Sequence, residues 1–170
     1  MRDYKTGRLV TLDPGLRGCG VATFFNGELV RGCYVKNPEK KLRGPVAHSK
    51  MALAAAPSVW PVDFVIVEFP QVYPGAPSVD LNDLLDVAGV ASALISRFEG
   101  YPCPVDCRYV LPREWKGNIQ KDIMTQRIKN SLGVGELNCI EWVGAKDHNT
   151  LDAAGIGLWA LGRLNRKVYG

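Results

Sequence analysis

The stretch VTLDPGLRGCGVATF, Val10 to Phe24, sets one carboxylate, Asp13, inside an apolar run and follows it with Pro14, Gly15, Gly18 and Gly20. Apolar residues on both flanks (Leu9, Val10 and Leu12, then Val21, Ala22, Phe24 and Phe25) predict two strands joined by a tight glycine turn, with Asp13 at the end of the first. A carboxylate at that place is either a turn former, as Asp before Pro-Gly can be, or a ligand. Working outward, VATFFNGELVRGCYV reads as strand, Asn26-Gly27 hairpin and strand, because an Asn-Gly pair supplies the positive φ angles of a type I′ turn. Three antiparallel strands therefore open the chain.

Beyond a basic loop, KNPEKKLRGP, the segment VAHSKMALAAA reads as a helix. VDFVIVEF is a continuous β-branched apolar run, the mark of a buried strand, and it ends on Glu68. PQVYPGAPS holds too many Pro and Gly for regular structure, whereas the next segment sets Val79, Leu84, Val87, Val90, Ala91 and Leu94 at helical spacing. CPVDCRYVL offers a short strand. PREWKGNIQKDIMTQRIKNSLG gives a loop and an amphipathic helix stopped by Gly133, and HNTLDAAGIGLWALGRLNRK a final helix whose last turn is cationic, with Trp159 and Leu161 in the core. The element order is that of an α/β chain: a mixed sheet with helices packed around it.

A length of 170 residues suits one compact domain, 1–170, with a real core, and 46% hydrophobic with 22% charged residues is ordinary globular composition. No apolar run is long enough to span a bilayer, and the charged MRDYKTGR lacks the apolar core of a secretory signal, so a cytoplasmic location is expected. The five cysteines form no CxxC pair and read as thiols behaving as small hydrophobes. A net charge of +4 permits a polyanionic partner.

Asp13 and Glu68 end two strands that could be neighbours. Asp152 lies in the first turns of the last helix, with His148 four residues earlier and Asn149 three residues earlier, all on one face if the helix begins that soon. Each has a plainer reading: a turn residue at Asp13, a solvated boundary charge at Glu68, a first-turn acid favoured by the helix dipole at Asp152, a cap or surface residue at His148.

Taken in order, the Asp of TLDPGLRGCGVA, the Glu of VIVEFPQVY and the His/Asp of HNTLDAAGIGLWAL resemble the RuvC-type Holliday junction resolvases of the ribonuclease H-like superfamily. The resemblance runs over almost the full chain and takes in a P-x-x-W-K-G-x-x-x-K pattern at Pro112 to Lys121, similar to the basic segment that family uses against DNA. The short length and the DAAGIGLW variant are more similar to bacteriophage-borne members. The resemblance implies a ribonuclease H-like five-stranded sheet, three antiparallel strands followed by parallel ones. It further implies a metal-dependent endonuclease that resolves Holliday junctions by paired symmetric nicks, and a homodimer formed on the helix from Val79 to Phe98. The family places an Asp or His three residues before the final Asp; here that position is Asn149, and the candidates for the fourth site residue rank His148, Asp147, Asn149.

Phosphodiester hydrolysis needs a nucleophilic water, charge neutralisation on the nonbridging oxygens and a stabilised leaving alkoxide, and two divalent cations about 4 Å apart supply all three. Mg²⁺, with Mn²⁺ as substitute, takes oxygen ligands and suits such a carboxylate cage. By resemblance Asp13 bridges both ions, Glu68 and Asp152 each lean toward one, and His148 binds the second ion or orients the attacking water. Without metal the mutual repulsion of these acids is expected to strain the site.

Candidate phosphate contacts are Lys40, Lys41, Arg43, Arg113, Lys116, Lys121, Arg127 and Lys129, with Arg113, Lys116 and Lys121 standing in the matched segment. Tyr73, in the Pro-rich loop after Glu68, is placed to stack on an unpaired base. Three other readings compete: a nuclease or processing factor for RNA or RNA/DNA hybrid on the same site, an actin-like ATPase phosphate hairpin, for which the chain is too short, and a binding-only module, which the retained acids argue against.

Overall fold

Strand β1 (Arg8–Gly15) alternates as a two-faced strand must, with Leu9, Thr11 and Asp13 on one side and Val10 and Leu12 on the other. It pairs antiparallel with β2 (Gly18–Phe25), which pairs antiparallel with β3 (Glu28–Lys36) across the Asn26-Gly27 turn. Both turn residues take positive φ, 49° and 85°, as a type I′ hairpin requires. On its other edge β1 pairs in parallel with β4 (Phe64–Glu68), and β4 with β5 (Asp106–Val110), giving a five-stranded mixed sheet in the order β3-β2-β1-β4-β5. The computed structural model describes residues 3–39, 43–56, 61–72 and 80–164. Tyr73, Lys40, Lys41 and the expected helix start at Val79 lie outside them.

Helices cover both faces. On one side α1 (Gly44–Ala55) and α2 (Leu81–Glu99) bury Met51, Val90, Leu94 and Phe98 against Val10, Leu12, Val21, Val65 and Val67. On the other side lie α3 (Pro112–Trp115), α4 (Lys121–Ser131), the single turn α5 (Val134–Leu137) and α6 (Asp147–Ala160). They bury Trp115, Ile128, Leu151, Ile156 and Leu158 against Leu9, Ala22, Phe24 and Ile66. Each fully buried Leu, Ile or Phe contributes about 1.5–3 kcal/mol, and a one-residue slip of any strand would exchange its two faces.

α6 is buried on nearly every side and reaches the sheet through small residues. A Cβ on Gly157 would lie 2.1 Å from the Phe24 ring, and one on Gly155 would lie 2.7 Å from Trp115 and from Ile128. The side chain of Thr11, in mid-strand and fully buried, donates to the carbonyl of Ala153 at 2.6 Å and ties β1 to α6.

Three sequence expectations are corrected here. Gly18 and Gly20 are not turn residues: β1 runs on through Pro14 to Gly15, the turn is Leu16-Arg17, and both glycines sit in β2. The final helix does not end in a cationic turn; it stops at Ala160, and Arg163 folds back to pair with Glu136. The PREWKG segment is not all loop, since Pro112 starts the short helix α3 and Glu114 caps it by accepting from the Leu111 amide at 2.6 Å. Leu161 lies in the core at 4% exposure, and Trp159 packs beside it beneath the Arg108 guanidinium.

Candidate active site

Strand parity builds the site. Asp13 shares its side of β1 with Leu9 and Thr11, both turned toward α6, and Glu68 shares its side of β4 with Ile66, which also packs under α6. Leu12 is the register partner of Val67 in this parallel pair, so the next residues, Asp13 and Glu68, stand side by side where the two strands end. Asp152 comes down from α6, fixed in height by the Thr11 bond to the neighbouring residue Ala153. α6 can approach this closely because Gly20 offers no side chain: a Cβ there would lie 2.0 Å from the Asn149 carbonyl oxygen.

Two consecutive residues of α3 close the cluster. Trp115 Nε1 donates to Glu68 Oε2 at 2.6 Å, and Lys116 Nζ stands 3.5 Å from Glu68 Oε2 and 3.7 Å from Asp152 Oδ2, over the Trp115 ring at 4.8 Å. The Glu68, Asp152 and Lys116 side chains retain only 12%, 17% and 26% exposure.

The electrostatics follow from this crowding. Burial first, then the neighbouring charges of Glu68 and Asp152, push the Asp13 carboxyl well above its ordinary value of 3.8, against the pull of Lys116 and Lys121. Burial also raises Glu68, opposed by Lys116 and the Trp115 hydrogen bond, and raises Asp152, opposed by Lys116, Lys121 and His148. Burial disfavours the Lys116 ammonium, yet Glu68, Asp152 and Asp13 together hold its pKa above the ordinary 10.5.

Of the residues singled out in the sequence, Asp13, Glu68 and Asp152 therefore come together. His148 is close enough to act on Asp152, and Lys116 and Lys121 act on the carboxylates. Asp147 is committed elsewhere, accepting from the Val143 amide at 2.6 Å in the loop before α6, and Asn149 lies over Gly15 and Gly20. Arg113 is exposed on α3 and is not among the cations acting most strongly on the carboxylates. Tyr73 lies outside the described residues.

The donor chemistry suits a hard divalent cation: three carboxylates whose mutual repulsion a positive charge would relieve, with an ammonium already drawn in between two of them. Among the described residues no group of three or more His, Cys, Asp or Glu side chains is arranged, as it stands, to hold a metal ion.

No protein-family model and no curated protein sequence matches this chain. Solved structures do. The Thermus thermophilus RuvC structure superposes with a TM-score of 0.56 at 19% identity, covering 89% of this chain and 92% of that one. The same protein in complex with Holliday junction substrate gives 0.55 at 17% identity, covering 90% and 91%. The yeast mitochondrial Holliday junction resolvase Ydc2 gives 0.57 at 14% identity, covering 96% and 82%. The fold is the ribonuclease H-like fold of RuvC. The expected sheet, three antiparallel strands continued by parallel ones, is thus borne out.

Within the RuvC fold, sequence reasoning missed three supports of the cluster. Trp115 carries no evident role in the P-x-x-W-K-G pattern, and it is a direct hydrogen-bond donor to Glu68. Thr11 reads as one more β-branched strand residue and is an anchor of α6; a hydroxyl inside an otherwise aliphatic run, LVTL, is the available signal. Gly20 read as a turn residue, and its role is to admit the main chain of α6.

Proposed function

We propose that this protein is a metal-dependent, structure-selective endonuclease that resolves four-way DNA junctions by paired symmetric nicks, a crossover junction endodeoxyribonuclease acting as a homodimer. The observation that carries the reading is the convergence of Asp13, Glu68 and Asp152, from three distant parts of the chain, at the ends of β1 and β4 beneath α6. One of the similar structures is a Holliday junction resolvase by name, and another, RuvC, is in complex with Holliday junction substrate.

Asp13, Glu68 and Asp152 would hold Mg²⁺ or Mn²⁺, two ions per site. Such ions neutralise the nonbridging phosphate oxygens and supply a hydroxide nucleophile at neutral pH. Trp115 fixes the rotamer of Glu68 through its indole N–H, so that carboxylate enters the reaction already oriented. His148, one helical turn before Asp152, orients the attacking water and takes its proton. Lys121 at the start of α4, which acts on Asp13 and Asp152, and Arg113, exposed on α3, bind phosphates of the junction arms. Tyr73 follows Glu68 closely enough in the chain to reach an opened base step.

The homodimer is supported by α2, which presents Leu81 and Leu85 one turn apart at 65% and 67% exposure. Two-fold symmetry in the protein matches the two-fold symmetry of a junction that must be cut on opposite strands.

Incubating a synthetic four-way junction with Mg²⁺ tests the reading. The native chain should give symmetric nicks, and Asp13→Asn should bind the junction without cutting it. Equal nicking by both would overturn the assignment, and preferential cutting of an RNA/DNA hybrid or structured RNA in parallel lanes would replace the substrate.

A further inference from the structure

In a site read as holding divalent metal, an ammonium group standing between two carboxylates is an anomaly. Lys116 Nζ stands 3.5 Å from Glu68 Oε2 and 3.7 Å from Asp152 Oδ2, which places a positive charge between two of the three carboxylates proposed to hold the ions. A cation bound by those same oxygens would face that ammonium across a few ångströms in a cleft sheltered from water, where repulsion is strong. Both cannot occupy the space at full occupancy.

The surroundings give the lysine a way out. Its side chain is 26% exposed, against 12% for Glu68, so it has a route to solvent. It lies over the Trp115 ring at 4.8 Å, an aromatic face along which an ammonium can move without losing all its stabilisation. Lys116 is also the C-cap of α3, just past its last residue, and is followed by Gly117 at φ +59°, where an added Cβ would meet nothing within 4 Å. Trp115, by contrast, is buried and bonded to Glu68, so the platform stays when the lysine leaves.

We propose that Lys116 is a built-in counter-cation that holds the empty site together and competes with the first divalent ion, and that a phosphate of the substrate releases the block by drawing the ammonium away. This rests on the metal-dependent reading of the site above. It makes metal loading and DNA binding mutually reinforcing, because each favours the position of Lys116 that the other needs, and by linkage the enhancement is equal in both directions. Free protein would then be poorly loaded with metal, and full loading would await a phosphodiester in the cleft.

The test measures Mn²⁺ binding to DNA-free protein by electron paramagnetic resonance, with no turnover involved. Lys116→Met should bind Mn²⁺ on the order of tenfold more tightly than wild type, and Lys116→Arg, which keeps the charge, should stay near wild type. Should the Met variant fold poorly, the same point is read in the wild-type protein by amine acylation and mass spectrometry. Saturating Ca²⁺ should raise the reactivity of Lys116 several-fold and leave that of Lys50, on the opposite face of the sheet, unchanged. Equal Mn²⁺ affinity in wild type and Lys116→Met, or a Lys116 reactivity indifferent to bound ion, overturns the counter-cation while leaving the metal-dependent reading in place. No Mn²⁺ binding by either protein, with or without junction DNA, overturns both.

Discussion

Gly20 and Asn149 touch backbone to backbone: a methyl group on Gly20 would lie 2.0 Å from the Asn149 carbonyl oxygen and 2.9 Å from the Thr150 amide nitrogen. Both partners are main chain in regular elements, so neither can turn aside as a flexible side chain would. Gly20→Ala must therefore lift the start of α6 away from the sheet, carrying Asp152 and His148 with it. The expected cost is about 1–3 kcal/mol of stability, read by urea denaturation, with a loss of junction cleavage on the order of 100-fold or more from the displaced carboxylate.

The identity of the fourth site residue can be decided by three substitutions. His148→Ala should lower cleavage by about 10²–10⁴-fold, the range for loss of a positioned acid–base group, with the melting temperature little changed. Asp147→Asn should leave cleavage near wild type, since Asp147 is occupied with the Val143 amide. Asn149→Ala should do the same, because what Asn149 contributes against Gly20 is its main chain. Single-turnover cleavage assays of the three variants separate the cases.

Metal-free protein should lose stability as pH rises. Asp13, Glu68 and Asp152 have folded-state pKa values above their ordinary 3.8, 4.5 and 3.8. The unfolded chain releases these protons first, so their contribution is full below those ordinary values and is lost as pH climbs through the raised ones. Thermal melts in chelator, taken from the ordinary carboxylate values upward in pH, should show this decline. Asp13→Asn should flatten it, and saturating Mg²⁺ should reverse it.

The opposite sign governs Glu136. Although burial works against its charge, the Arg163 hydrogen bonds and the amides of Leu29 and Gly133 hold it down at about 2. It accepts from Arg163 at 2.6 and 2.7 Å and from those amides at 2.8 Å or less. Its stabilisation is present above the ordinary value of 4.5 and disappears as pH falls toward 2. Glu136→Ala leaves the Leu29 and Gly133 amides without their acceptor and the Arg163 guanidinium with only the Gly27 and Ser131 carbonyls. It should cost about 2–3 kcal/mol at neutral pH in denaturant titrations without touching the cleavage site.

How far the sequence could be read depended on the range of the interaction. The strands were legible because period-two alternation and the Asn26-Gly27 pair are local, and they set Asp13 and Glu68 at the ends of two strands that could be neighbours; that the two stand side by side needs the β1–β4 register. Gly20 was misread because glycine marks both turns and close approaches, and the element that approaches it lies about 130 residues further on. The direction of Lys116 was hidden for a related reason: a basic residue in a loop is drawn equally by phosphate and by carboxylate, and only the packed α3 decides. α6 stops because Gly162 takes φ +70° and closes a Schellman motif, with the Gly162 amide donating to the Trp159 carbonyl and the Arg163 amide to that of Leu158. That glycine is a local signal, whereas the pairing of Arg163 with Glu136, held in place by β3 and α5, is not.

The Thr11 hydroxyl on the Ala153 carbonyl works as a dowel between two parts that hydrophobic contact alone would leave free to creep. An α-helix advances about 1.5 Å per residue, and oily surfaces oppose such sliding only weakly. A single polar peg, out of reach of water, adds to the close contacts at Gly20, Gly155 and Gly157 in setting the axial position of the last helix. Replacing it with valine would preserve bulk and shape while removing that peg, so the placement of Asp152 beside Asp13 and Glu68 leans on an alcohol that is not itself one of the clustered acids.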